Sequence, residues 1–145
     1  MAVIVQKKDF DLATELKKLA GFDGTAGAVI SFIGLVRGDA SLLALELEHY
    51  PAMTTKALEK IEQMARTKWG LVDVRIVHRF GRLQLGEQIM MVAVSAPHRR
   101  SAFEAVDYIM DFLKSRAPFW KKEHGINNNI WVTANPDDEE DLTRW

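Results

Sequence analysis

Four cations crowd one short stretch, Leu113 to Glu123 (LKSRAPFWKKE), where Lys114, Arg116, Lys121 and Lys122 surround a proline and two aromatic residues. On an unbroken helix Lys114 and Lys121 would share a face about 10 Å apart. Pro118 interrupts that geometry and lets the second lysine fold back toward the first. Converging amines repel each other, and with partial burial this favours a neutral amine near pH 7, the form that serves as base or nucleophile. The plainer alternative is that the cations complement the negative end of a helix dipole. Phe119 and Trp120, adjacent and expected outside regular structure, would then close the core; otherwise they wall a pocket.

His98 and Arg99 follow a buried strand and open a long helix, where free N–H groups and the dipole suit a phosphate or carboxylate. The alternative is a helix-capping histidine with solvated arginines, Arg99 and Arg100. Arg37, after SFIGLVRG, has the same two readings. Cations at the ends of three separate elements are placed where binding residues concentrate. His49 and His78 lie in strand-like runs, read as imidazoles satisfied by sheet or solvent, and receive no role. The acidic run Asp137 to Asp141 reads as a solvated, frayed end.

The elements that must position these groups are legible in the hydrophobic pattern. Ala2 to Gln6 is β-like, and Leu12, Leu16 and Leu19 repeat at helical spacing, with Asp9 or Asp11 as cap and Gly21 as stop. Ala26 to Gly34 reads as a buried strand. Leu43, Leu45 and Leu47 alternate with Ala44, Glu46 and Glu48, the pattern of a strand with one wet face. Pro51 opens a helix with Met53, Ala57, Ile61, Met64 and Ala65 as its stripe, closed by Gly70. Val72, Val74 and Ile76 alternate again, and Gln88 to Ala96 reads as a buried strand. After Pro97, the residues Ala102, Val106, Ile109, Met110 and Leu113 predict a helix that ends near Arg116, because Pro118 disfavours α conformation at Ala117. Ile130 to Thr133 is a last strand candidate. Interspersed helices and strands with several hairpins predict an α+β fold, one domain over 1–145 with a mixed, mostly antiparallel sheet and about three helices.

Composition narrows the function classes. The chain has 145 residues, a net charge of −1 from 19 basic and 20 acidic side chains, and no cysteine. A near-neutral balance disfavours broad nucleic-acid binding. No run of about 18 apolar residues suggests a membrane span, so a soluble, cytoplasmic protein is expected. Without cysteine there is no thiolate nucleophile or thiolate metal site, and four scattered histidines argue against a metal centre. Any sulfur chemistry must use imported sulfur.

Four stretches then carry a resemblance: SFIGLVRG (31–38), ALELEHYPAMTTKAL (44–58), VHRFGRLQLGE (77–87) and, most specifically, AFEAVDYIMDFLKSRAPFWKKE (102–123) preceded by His98 and Arg99. The sequence resembles the large, catalytic subunits of molybdopterin synthase, the MoaE family, along nearly its whole length. The resemblance implies a hammerhead-like α/β fold and a sulfurtransferase, without cofactor or metal, that converts cyclic pyranopterin monophosphate into molybdopterin by adding two dithiolene sulfurs. It also implies a sulfur source, the C-terminal Gly-Gly thiocarboxylate of a small ubiquitin-like (MoaD-like) carrier subunit, and a homodimer at the centre of a heterotetramer. Residue by residue it implies Lys114 and Lys121 as catalytic amines and Arg37, His98 and Arg99 as phosphate and pterin contacts. Lys114 is read as the main amine and Lys121 as the anchor of substrate or of developing charge, a division the sequence does not decide. Leu35, Val36, Lys122 and Glu123 line the same motifs. Leu35 stands where family members often carry a basic residue, the loop after Arg37 is shorter than in many relatives, and HGINNNI (124–130) replaces a more charged turn. Two other readings stay open: a non-catalytic module that binds a ubiquitin-like carrier, and an unrelated phosphate-ester enzyme using Arg37, His98 and Lys114.

Overall fold

In the computed structural model, which describes residues 2–133 and 135–145, the order is β1 (Val3–Gln6), α1 (Leu12–Lys17), β2 (Ala28–Leu35), β3 (Leu42–His49), α2 (Pro51–Trp69), β4 (Asp73–Arg79), β5 (Gly81–Leu83), β6 (Gln88–Ala96), α3 (Arg99–Arg116), β7 (Phe119–Gly125), β8 (Asn129–Trp131) and α4 (Pro136–Asp141). A 3-10 helix, Leu142–Arg144, follows. The strands make two four-stranded sheets. The first runs β1-β4-β6-β2, with β1 parallel to β4 and the other pairs antiparallel. The second, β5-β3-β7-β8, is antiparallel throughout. The expected mixed, mostly antiparallel α+β architecture is therefore present, divided between two sheets.

Local chemistry sets the helix boundaries. The Asp11 carboxylate accepts from the Thr14 N–H at 3.0 Å and starts α1. Proline opens α2, and Gly70 closes it in the left-handed conformation, φ 58° and ψ 46°, that glycine adopts without a Cβ clash. α3 stops at Arg116, with Ala117 extended ahead of Pro118.

Leu58, Ile61 and Ala65 of α2 and Ile109 and Leu113 of α3 pack with Ile76, Val92 and Val94 of the first sheet. Phe10 and Leu19, with Leu12 and Leu16 of α1 beside them, join Val77, Met91 and Ala93 in a separate cluster. Alternate residues of β4 and β6 thus enter different clusters, which is why these strands are apolar nearly throughout. The second sheet has a smaller core of Val36, Leu45, Leu47 and Leu83.

Several expectations are corrected. The strand predicted as buried at Ala26–Gly34 is β2 at the edge of the first sheet, with Phe32 40% exposed. Its β-branched residues reported sheet but not position within it. Leu43 points outward because the register shifts between Leu42 and Ala44, which breaks the alternation before Leu45 and Leu47 resume it. Met53 is likewise exposed, and α2 buries Thr54 instead. Phe119 and Trp120 begin a strand rather than an irregular segment. The acidic run is not frayed: Asn135 caps α4, and Arg116 holds Glu139 through two bonds of 2.8 and 2.7 Å. α4 thus adds a short fourth helix to the three expected.

Candidate active site

Phe119, just past the end of α3, stacks on His78, and His78 pairs with Met90 near the start of β6. Since α3 begins just after β6 ends, it must run back over the sheet to reach that point. Lys114, in its last turn, therefore lies toward the same sheet end as the Leu35–Gln88 pair where β2 finishes. Pro118 then turns the chain into β7, which lies between β3 and β8.

Side chains alternate along β7, so Phe119, Lys121 and Glu123 share one face while Trp120, Lys122 and His124 share the other. Lys121 pairs with Leu47, which is almost fully buried. Burial there, and the Lys114 amine acting directly on it, lower the Lys121 pKa to about 8, with Asp138 of α4 opposing. The fold-back that Pro118 was expected to permit is realised as a strand, and the two lysines do converge. Lys114 itself is exposed.

The remaining candidates divide. Leu35 is 55% exposed at the end of β2 and Arg37 is exposed just beyond. Val36 between them is only 4% exposed; it packs with Leu45 and Leu47 and exchanges backbone hydrogen bonds with Gly86 and Glu87. Val36 anchors the loop and has little surface for a ligand. Lys122 turns away from Lys121, its amine 5.3 Å from the centre of the Trp131 ring. Glu123 is exposed on the Lys121 face. His98 and Arg99, both exposed, sit at the opposite end of α3 from Lys114. The fifteen-residue step along that helix corresponds to about 22 Å. Within one chain the structure brings together Lys114 and Lys121, with Leu35–Arg37 toward the same end of the sheet, and leaves His98 and Arg99 remote.

Sequence reasoning gave His49 and His78 no role, yet both border this site. His49 hydrogen-bonds Thr54 at 3.0 Å and packs at 4.4 Å from Phe80 and 5.8 Å from Phe119. His78 stacks on Phe119 at 3.8 Å, and burial with repulsion from Lys121, His49 and Lys114 takes its pKa to about 4. The signal available earlier was the run of His78, Arg79 and Phe80 before Gly81. Nothing local ties that run to a lysine on another sheet.

The arrangement offers an amine poised to lose its proton near neutral pH, a second amine beside it, and aromatic rings alongside. That suits proton transfer or nucleophilic attack at an electrophilic carbon with anion stabilisation.

The family model described as MoaE protein matches residues 5–116. The molybdopterin synthase catalytic subunit of Cereibacter sphaeroides is 47% identical over 100% of both chains. Among solved structures, the molybdopterin cofactor biosynthesis protein E of Burkholderia multivorans superposes with a TM-score of 0.85, at 49% identity over 99% of this chain and 95% of that one. The crystal structure of molybdopterin synthase from Staphylococcus aureus gives 0.84, at 30% identity over 92% of this chain and 98% of that one.

Proposed function

The chain belongs to the MoaE family, and from that premise we propose that it is the catalytic subunit of molybdopterin synthase, working in the cytoplasm with Lys114 and Lys121 as its reacting amines. It converts cyclic pyranopterin monophosphate into molybdopterin by adding the two dithiolene sulfurs. The sulfur comes from the C-terminal Gly-Gly thiocarboxylate of a small ubiquitin-like partner. A chain without cysteine has no thiol of its own to offer and needs such a donor.

The observation that carries the assignment of roles is the burial of Lys121 opposite Leu47 and beside the Lys114 amine, which lowers its pKa to about 8. Roughly a tenth of that amine is unprotonated at pH 7. Lys121 is therefore the group that accepts a proton, or attacks, as sulfur adds to the ring. Lys114, more exposed, meets the incoming tail and the charge that develops as the cyclic phosphate opens. The sequence left the division of roles undecided, and the deeper burial of Lys121 supports this one.

Arg37, His98 and Arg99 hold the phosphate and pterin. Because α3 separates its own His98 and Arg99 from Lys114 by about 22 Å, these contacts come from a second copy. Two chains related by a two-fold axis, with one small subunit on each, make the heterotetramer.

The test is reconstitution: the purified chain is mixed with thiocarboxylated carrier and precursor, and dithiolene-bearing product is measured by mass. Replacing Lys121 or Lys114 with alanine should slow product formation by about a hundredfold or more. Full rate in Lys121→Ala removes it from the chemistry. Carrier binding without pterin binding in calorimetry would favour a docking module, and turnover without carrier would favour a phosphate-ester enzyme.

A further inference from the structure

His78 has no part in the chemistry above, yet it is closely built into the surroundings of Lys121. It is 8% exposed, on β4, between Val5 of β1 and Met90 of β6. Its Nδ1 lies 2.8 Å from the Arg79 carbonyl oxygen. A carbonyl can only accept, so Nδ1 carries the proton and Nε2 keeps its lone pair. The ring lies nearly parallel to Phe119, centroids 3.8 Å apart and planes inclined by 14°. Phe119 and Lys121 project from the same face of β7, about 7 Å apart along the strand. The imidazole is thus packed one side-chain position from the amine.

The residue type fits that place. A protonated ring would put a third positive charge beside Lys114 and Lys121; with its pKa at about 4, His78 stays neutral where Lys121 titrates. Its bond to the backbone carbonyl fixes the plane of the ring, which an all-carbon ring cannot do. The groups acting on His78 are Lys121 of β7, Lys114 of α3, His49 of β3 and the Arg79 carbonyl of β4. Those acting on Lys121 are Lys114 and, from α4, Asp138.

We propose that His78 is a positioning residue for Lys121: by stacking on Phe119 and tying its ring to the Arg79 carbonyl, it fixes the start of β7 and keeps water out of the space beside the amine. The proposal deepens the assignment of Lys121 as a reacting group and rests on it for its functional consequence. Truncating the ring opens a gap that water can enter. A resolvated Lys121 ammonium then holds its proton to higher pH.

Two readouts on the full chain test this. The side-chain nitrogen resonance of Lys121, identified by its loss in Lys121→Arg, reports the amine's titration without turnover. The pH dependence of product formation, with carrier and precursor supplied, reports its use. In His78→Ala the titration midpoint should rise by about one pH unit or more from its value near 8, and the rising limb of the rate profile should move with it. His78→Phe keeps a flat ring against Phe119 but loses the tie to the Arg79 carbonyl, so its midpoint should move less than half as far as in His78→Ala. If His78→Ala does not fold, His78→Val is suited to a strand, leaves a similar gap and is read in the same way. An unmoved midpoint in a folded truncation overturns the proposal, as does an equal shift in His78→Phe. A rate lowered equally at every pH, with the midpoint fixed, reduces His78 to a fold-holding role and also overturns it. If the midpoint moves while the rate profile does not, His78 does position Lys121 and it is the assignment of Lys121 as a reacting amine that fails.

Discussion

An amine whose proton is loosened by burial destabilises the fold that buries it. The pKa of Lys121 is about 8 in the folded chain against an ordinary 10.5. The unfolded chain therefore binds more protons between those values, and stability rises with pH across that window. The contribution is complete above about pH 10.5 and is lost as pH falls through 8, so at pH 7 the penalty is roughly 3 kcal/mol. Lys121→Met, apolar and of similar length, should stabilise the protein at pH 7 by up to that amount while abolishing product formation. Urea denaturation at a series of pH values checks it: the pH 8 to 10.5 rise should disappear in the variant. An unchanged rise would assign the effect to another group. His78 acts with the same sign, lower on the pH scale. Its pKa of about 4 removes stability as pH falls from 6.5 toward 4. Of these two groups, only the lysine was legible in the sequence, because Lys114, Pro118 and Lys121 are neighbours along the chain. His78 meets Phe119 across a gap no local pattern spans.

At the scale of elements, the sequence was most informative where one rule decides a boundary. Pro51 and Gly70 delimit α2, and Pro118 ends α3, as spacing predicted. It failed where position in the sheet or a distant partner decides. β2 reads as buried because β-branched residues report strand, not edge, and β7 was missed because its lysines and glutamate break the apolar pattern. The acidic run was misread because what secures it lies outside it: Arg116 of α3 holds Glu139, and the residues after the run dock on α3. Trp145 stands edge-on to Trp69 and Tyr108 at 5.7 and 5.5 Å, and its Nε1–H donates to Asp111 at 2.6 Å. Arg144 also bonds Asp111, and donates to Asp107 at 3.0 Å. Asp111, 8% exposed on α3, is the hinge pin of this closure. Asp111→Ala leaves the indole N–H without its acceptor and should cost about 1–3 kcal/mol. Asp107→Ala, removing an exposed ion pair, should cost less than about 1 kcal/mol. Thermal unfolding of the two variants separates them, and equal losses would mean that Asp111 is no more than a surface partner.

At the scale of the whole molecule, two of the proposed phosphate and pterin contacts and one of the lysines lie at opposite ends of one helix. His98 and Arg99 open α3 and Lys114 closes it, with eighteen residues of continuous helix from Arg99 to Arg116. No rotation of side chains brings the two ends of one rigid helix onto the same reacting atoms. If His98 and Arg99 act in the lysine site, another chain must supply them, and a two-fold dimer does so twice, once for each site. This has a consequence that no single-chain site shares. Arg99→Ala and Lys114→Ala should each be inactive as pure preparations. Unfolded together and refolded as a mixture with carrier and precursor, they form dimers in which one site takes its lysine from the Arg99→Ala chain and its arginine from the Lys114→Ala chain. That site is intact and its twin carries both defects. Random pairing predicts about a quarter of unsubstituted activity in the mixture. Activity no greater than the sum of the pure variants, in a mixture shown by mass to contain mixed dimers, would mean that each site draws on one chain alone. His98 and Arg99 would then have to be given a role away from the lysines.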